Sequence, residues 1–150
     1  MEFKKLPKDR NGECLDLVWY VFSLLETPIF GEEAAKSYKA IIEDTRKRGN
    51  ITFYAALDCD RVVGTLGMRE NNHIGYFYIN PEYQRQGIGK KLFELMKGDY
   101  EIRKFTVNAM PTGVAAYARL GFTEAGEKVN NGGVITTPLK YDESAPCLTK

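Results

Sequence analysis

One histidine, one tryptophan and three cysteines are all that the 150-residue chain holds of those types. Cys14, Cys59 and Cys147 are odd in number and too widely spaced for a disulfide framework or a zinc knuckle. A lone His73 cannot complete a Cys/His ligand set, so no metal is expected and the thiols read as reduced side chains of a cytoplasmic protein. Nor does one sign of charge prevail: 21 Lys and Arg stand against 20 Asp and Glu, a formal net charge of +1. Holding a nucleic-acid backbone takes a basic face, so nucleic acid is not expected as a partner. Runs of about 18 apolar residues, the length of a membrane span, do not occur. The start, Met1-Glu2-Phe3-Lys4-Lys5-Leu6-Pro7, has no apolar stretch of the kind a signal peptide carries. Neither a membrane partner nor export is expected.

What the chain does hold is a hydrophobic fraction of 43% with 12% aromatic residues, enough to close one core. The expectation is a single domain over 1–150, its core about 3–141 and a loose tail over 142–150. Phe3–Leu6 reads as a short strand. Leu15, Val18, Trp19, Phe22 and Leu25 form one stripe of an amphipathic helix that stops before Thr27-Pro28. Ala34, Tyr38, Ile41, Ile42 and Thr45 mark a second helix, with acids at its start, bases at its end and Gly49 as its C-cap. Ile51–Leu57, Val62–Arg69 and His73–Ile79 read as an antiparallel meander. Then come a helix over Gly87–Lys97, a strand over Glu101–Asn108, a helix over Thr112–Leu120 closed by Gly121, and a strand over Phe122–Lys128. The turn Asn130-Asn131-Gly132-Gly133 leads into Val134–Tyr141. Strand–helix–strand over 73–108 makes those two strands parallel neighbours. The class is therefore α+β: a mixed, largely antiparallel sheet with a central parallel βαβ unit and helices on both faces. A ligand is expected where the parallel strands diverge.

The turn into the third of these helices reads Asn80-Pro81-Glu82-Tyr83-Gln84-Arg85-Gln86-Gly87-Ile88-Gly89-Lys90-Lys91. Gly87 and Gly89 clear side chains from the point where a helix begins, so that backbone N–H groups converge there on one anion. The helix N-terminus adds partial positive charge, and Arg85, Lys90 and Lys91 supply full charges. A dinucleotide fingerprint fails, since Leu92 stands where its third glycine belongs. A P-loop fails at Gln84 and again at Lys91. What remains is [Q/R]-x-x-G-x-G, met by Gln84, Gly87 and Gly89: a phosphate cradle of another kind.

With that loop the chain resembles the GNAT superfamily of N-acetyltransferases. Ile79 to Gly89 is similar to their acyl-CoA loop. Thr106-Val107-Asn108-Ala109-Met110-Pro111, followed by Ala116-Tyr117-Ala118-Arg119-Leu120-Gly121-Phe122, is similar to their fifth strand, fourth helix and Tyr-x-x-x-Gly-Phe signature. The resemblance runs along residues 3–141, although 13–48 match in element type only. It implies acetyl-CoA as co-substrate. The pyrophosphate would lie on backbone amides from Gln84 to Lys90, a set comprising Gln84, Arg85, Gln86, Gly87, Ile88, Gly89 and Lys90, with the pantetheine beside Ile79. The thioester carbonyl would face a backbone N–H of the strand ending at Ile79. Asn108 would hydrogen-bond the cofactor or order a water, or else satisfies only its local backbone. Tyr117 matches the general acid that protonates the departing thiolate.

No general base is assigned. Tyr76, Tyr78, Glu26 and Glu70 are the groups within range of the expected carbonyl site, and His73 reads as a surface residue. Ser23, Ser37 and Ser144 lack a nucleophile-elbow context. The expected function is acetyl transfer to a primary amine of a small molecule or peptide. The alternative is a non-catalytic acyl-CoA-binding regulatory module of the same fold. Residues 26–31 would line the acceptor side, and their apolar side chains with one acid point to an amine with an apolar body. A homodimer is expected by fold analogy alone.

Overall fold

The structure, a computed structural model, describes residues 1–143. Its elements follow the chain as β1 (Glu2–Lys5), α1 (Asn11–Leu25), α2 (Thr27–Phe30), α3 (Glu32–Arg48), β2 (Thr52–Asp58), β3 (Arg61–Arg69), β4 (His73–Ile79), α4 (Ile88–Lys97), β5 (Lys104–Ala109), α5 (Val114–Leu120), β6 (Thr123–Glu124), β7 (Val129–Asn131) and β8 (Val134–Asp142). The strands form one sheet in the order β1-β2-β3-β4-β5-β8-β6, with β7 paired to β8. Every pairing is antiparallel except β4 with β5. The α+β sheet with a central βαβ unit is thus the observed architecture.

Each face carries its own apolar cluster. One gathers Leu15, Val18 and Phe22 of α1, Tyr38 and Ile42 of α3, and Phe53 and Tyr76 of the sheet. The other gathers Leu92, Phe93 and Met96 of α4 with Phe105, Val107 and Phe122, and α5 joins it through Tyr117 and Leu120. Leu25 and Ile41, at the margins of their helical stripes, stay exposed. Among the described residues no helix is long and apolar enough to cross a membrane.

Three expectations change. The first helix does stop before Thr27-Pro28, at Leu25, but a loop does not follow: Pro28 occupies the first turn of α2, where its missing N–H costs nothing, so Thr27–Phe30 is a short helix. The strand expected over Phe122–Lys128 shrinks to β6, Thr123–Glu124, and a separate strand, β7, covers Val129–Asn131 at the start of the expected turn. Pro138 of β8 has no N–H to give, and the ladder ends with Ala125 N–H donating to its carbonyl at 2.9 Å. The strand expected from Glu101 begins only at Lys104. Of the expected tail, Asp142 ends β8, while residues 144–150 lie outside the described residues.

The joint between β4 and β5 positions the site. They pair at only two places, His73 with Thr106 and Ile74 with Val107. Beyond these the strands part. The cause sits in β4: Met68 pairs with Ile74 and Gly67 with Tyr76, leaving Gly75 as a bulge. Bulges bend the strand that bears them. A Cβ at Gly75 would stand 2.8 Å from Arg69 Nε, so this crowded corner admits glycine.

Candidate active site

The cradle lies at the C-terminal end of β4. Asn80 caps the turn, its side chain accepting from Glu82 N–H at 3.0 Å. Tyr83 donates to Asp58 Oδ2 at 2.6 Å and accepts from Arg61 Nη2 at 3.0 Å, which ties the loop to the β2–β3 hairpin. Arg85 takes φ +65° and Gly87 φ +75°. Two left-handed residues so close together turn successive N–H groups to one side. Among the described residues, no backbone N–H from Arg85 to Lys90 has a partner within the chain; the first helical bond runs from Lys91 to Gly87. Gln84 differs from the other expected cradle residues, because its N–H leans back on Pro81 O at 3.4 Å. Arg85, Gln86 and Lys90 are exposed. Ile88 is the reverse, its side chain buried in the α4 cluster and only its N–H turned outward. Ile79 and Ile88 both crowd Gly64, where an added Cβ would lie 3.0 Å from each. The end of β4 and the start of α4 thus close on a glycine of β3.

Asn80 N–H donates to Val63 O of β3. Because strand N–H groups alternate in direction, those of Ile79 and Phe77 point the other way, into the gap that β5 leaves open. Asn108 stands across that gap. Phe105, Val107 and Ala109 alternate inward, and Asn108 is exposed on the opposite face.

Tyr117 packs its ring edge-on against Phe77 and Phe122, at 5.8 and 5.2 Å between centroids. Burial raises its pKa above the usual phenol value, and Tyr38 adds to the rise. Tyr38 belongs to the other face of the sheet. The sheet between the two phenols is the part where β4 and β5 no longer pair. A similar coupling links Tyr117 to Tyr78, whose pKa lies well above 10 through burial first and Tyr38 next. Tyr38 and Tyr78 share a hydrogen bond of 3.0 Å.

The four groups weighed as a base separate cleanly. Glu70 is exposed beside Asn71 and His73, at the opposite end of β4 from the cradle. Tyr76 is bound by Thr45 at 3.1 Å and Arg69 at 3.2 Å. Tyr78 is paired with Tyr38. Glu26 alone combines burial with a free oxygen: the residue is 2% exposed, Oε2 accepts from Thr112, and Oε1 has no partner. His73 is not a bare surface residue. Its Nδ1 lies 2.8 Å from Thr106 Oγ1, so it fastens the one stretch where β4 and β5 meet, and burial there lowers its pKa. Among the described residues no group of three His, Cys, Asp or Glu gathers as a metal site.

The model of the acetyltransferase (GNAT) domain matches residues 26–143. The chain belongs to the GNAT acetyltransferase family. Acyl transfer is accordingly the chemistry of its family. GNAT structures superpose on most of the chain. A GCN5-related N-acetyltransferase from Rhodopseudomonas palustris has a TM-score of 0.78 at 16% identity, covering 94% of each chain. PaiA N-acetyltransferase from Thermoplasma acidophilum, solved in complex with coenzyme A, has 0.70 at 17% identity, covering 94% of this chain and 98% of its own. Tetrahymena GCN5 has 0.70 at 16% identity, covering 95% and 96%. At these identities the likeness is one of fold. No sequence among curated proteins matches the chain.

Proposed function

We propose that this GNAT member transfers the acetyl group of acetyl-CoA to a primary amine by direct attack, with Tyr117 as general acid. The observation that carries the reading is the run of unpaired N–H groups from Arg85 to Lys90, set at the mouth of the β4–β5 split. Such a run suits a pyrophosphate, with Arg85 and Lys90 adding charge at its rim. The split is open on the β4 side for an extended chain to take up the ladder that β5 abandons. Two solved relatives in the fold, PaiA and an aminoglycoside 6′-N-acetyltransferase, are complexes with coenzyme A, which supports the same ligand here.

When bound, acetyl-CoA supplies an activated acetyl group. The Phe77 and Ile79 amides are aimed to take negative charge building on a carbonyl oxygen in the split. Asn108 faces the same gap as a further hydrogen-bonding group. Tyr117, its pKa raised by burial, stays protonated at any working pH and acts as a donor rather than a base. A thiolate, the conjugate base of a thiol with pKa near 8.5, draws that proton as it leaves.

The test is calorimetric titration with acetyl-CoA and with coenzyme A, beside Gly87→Glu. A Cβ at Gly87 meets nothing within 4 Å, so the variant folds with a carboxylate in the anion site and a modestly strained φ. Micromolar binding by the native protein, lost in the variant, is expected. A folded native protein, free of copurified coenzyme A, that binds neither ligand would overturn the reading. Binding of both without thiol release on any amine would favour a non-catalytic acyl-CoA-binding module.

A further inference from the structure

We infer that Glu26 binds the ammonium of the acceptor and takes its proton, and that this acceptor is a monocationic primary amine on an apolar body. The inference rests on the transferase reading above and deepens it.

Three residues where α1 joins α2 each carry a buried side-chain oxygen without a partner: Ser23 Oγ, Glu26 Oε1 and Thr27 Oγ1. Residues three and four apart on helical backbone are neighbours on one face, and Glu26 itself keeps αR geometry between the two helices. Buried polar atoms are normally paired. A buried carboxylate oxygen is the costliest to leave alone, and among the described residues no cationic side chain bridges to Glu26. An alkylammonium offers N–H donors and one positive charge, which answers a buried carboxylate with an unpaired oxygen.

The place is right for transfer. Thr112, which donates to Glu26 Oε2, precedes Gly113, and a Cβ at Gly113 would stand 3.5 Å from Tyr117 Cε2. Carboxylate and phenol thus both border the segment that follows β5. Thr112, whose hydroxyl covers Glu26, lies on the exposed segment after β5; turning that hydroxyl aside uncovers Glu26 from the split. Trp19, Phe30, Tyr78 and Met110 are the partly buried apolar side chains packed against the cluster on this face, so the body carried by the amine meets apolar surface and, among the described residues, no second buried carboxylate.

In the step, the ammonium N–H passes its proton to Glu26 Oε1, leaving a neutral amine and a carboxylic acid. The freed nitrogen pair forms the C–N bond as the C–S bond breaks. The sulfur leaves with its electron pair and takes the Tyr117 proton, and Tyr117 regains one from the acylated nitrogen. Glu26 then releases its proton to solvent, so the balance is amide, thiol and one proton. Burial raises the Glu26 pKa while the Thr112 hydrogen bond holds it down, and Tyr38 and Tyr78 are the other titratable groups that feel its charge. A carboxyl nearer neutrality both takes and gives up a proton readily.

The experiment follows thiol release from acetyl-CoA with 2-phenylethylamine, hexylamine, putrescine, spermidine and kanamycin, for the native protein and for Glu26→Gln, Glu26→Asp and Thr112→Val. Expected are kcat/KM values at least 10-fold higher for the first two amines, a fall of about 100-fold in Glu26→Gln with the KM for acetyl-CoA unchanged, and part of the loss restored by Glu26→Asp. The pH profile separates chemistry from structure. Native kcat/KM levels off above the Glu26 pKa, whereas Glu26→Gln climbs with the free amine up to the amine's own pKa. Thr112→Val, which folds independently of the carboxylate change, moves the native limb to higher pH. Turnover by the native protein with a Glu26→Gln profile superimposed on it, or preference for the polycations, overturns this inference and leaves the transferase reading intact. No thiol release with any amine sinks the transferase reading itself.

Discussion

Tyr117 and Glu26 show what single residues gain from a sheet that does not close. Tyr117 is rooted in the aromatic cluster of Phe77 and Phe122, yet its hydroxyl is coupled to phenols on the far face. Tyr117→Phe keeps that ring packing and removes only the proton. Acetyl-CoA affinity should stay within a few-fold while kcat falls roughly 100-fold or more, as loss of a general acid does; an unchanged kcat at saturating substrates removes the acid role. Tyr117 was legible in the sequence because it sits in a spelled motif, four residues before Gly121. Glu26 was visible only as one of two acids among four groups. Its burial depends on Thr112, which lies 86 residues away, and no local pattern carries that distance.

At the scale of elements, the strands near the site are shaped by where side chains are missing. Gly64 lets Ile79 and Ile88 close on β3 from one face, and Gly67 does the same for Ile51 and Phe53 on the other. A Cβ at Gly67 would lie 2.6 Å from Phe53 Cε1 and 2.8 Å from Ile51 Cδ1, both fully buried. Gly67→Ala should therefore destabilise the fold by about 1–3 kcal/mol, the usual cost of overpacking; a denaturant midpoint that does not fall would contradict this packing. Periodicity and turn spelling located the meander, α3 and α4, since those elements bury one face at a helical or strand period. They did not locate the early end of β6, where Pro138 stands on the opposite strand, or β7. The bulge at Gly75 was equally hidden, because a bulge is a mismatch between two strands and neither sequence alone records it.

The whole molecule is fastened at its far edge as well as at its centre. Glu143, just past β8, accepts from Lys97 at 2.5 Å, from Tyr141 and from Arg103 at 2.8 Å, so the end of the sheet is tied to the end of α4. These partners, Lys97 first, hold the Glu143 carboxyl down at about 2 from its ordinary 4.5. A depressed carboxyl stabilises above its unfolded pKa and loses that contribution as pH falls toward its folded one. Glu143→Gln should lower Tm by roughly 3 °C at pH 7, and the gap between variant and native protein should narrow from about pH 4.5 downward; melts with a pH-independent gap would exclude the ionic tie. Trp19, the single tryptophan of the chain, stacks toward Phe22 at 6.0 Å under Lys39 Nζ at 5.3 Å, on the side where the acceptor is proposed to bind. All indole emission of the protein therefore originates at one spot, two helical turns from Glu26. The molecule carries its own fluorophore at the place where an acceptor would arrive, so occupancy can be followed optically without a label or a chemical reaction.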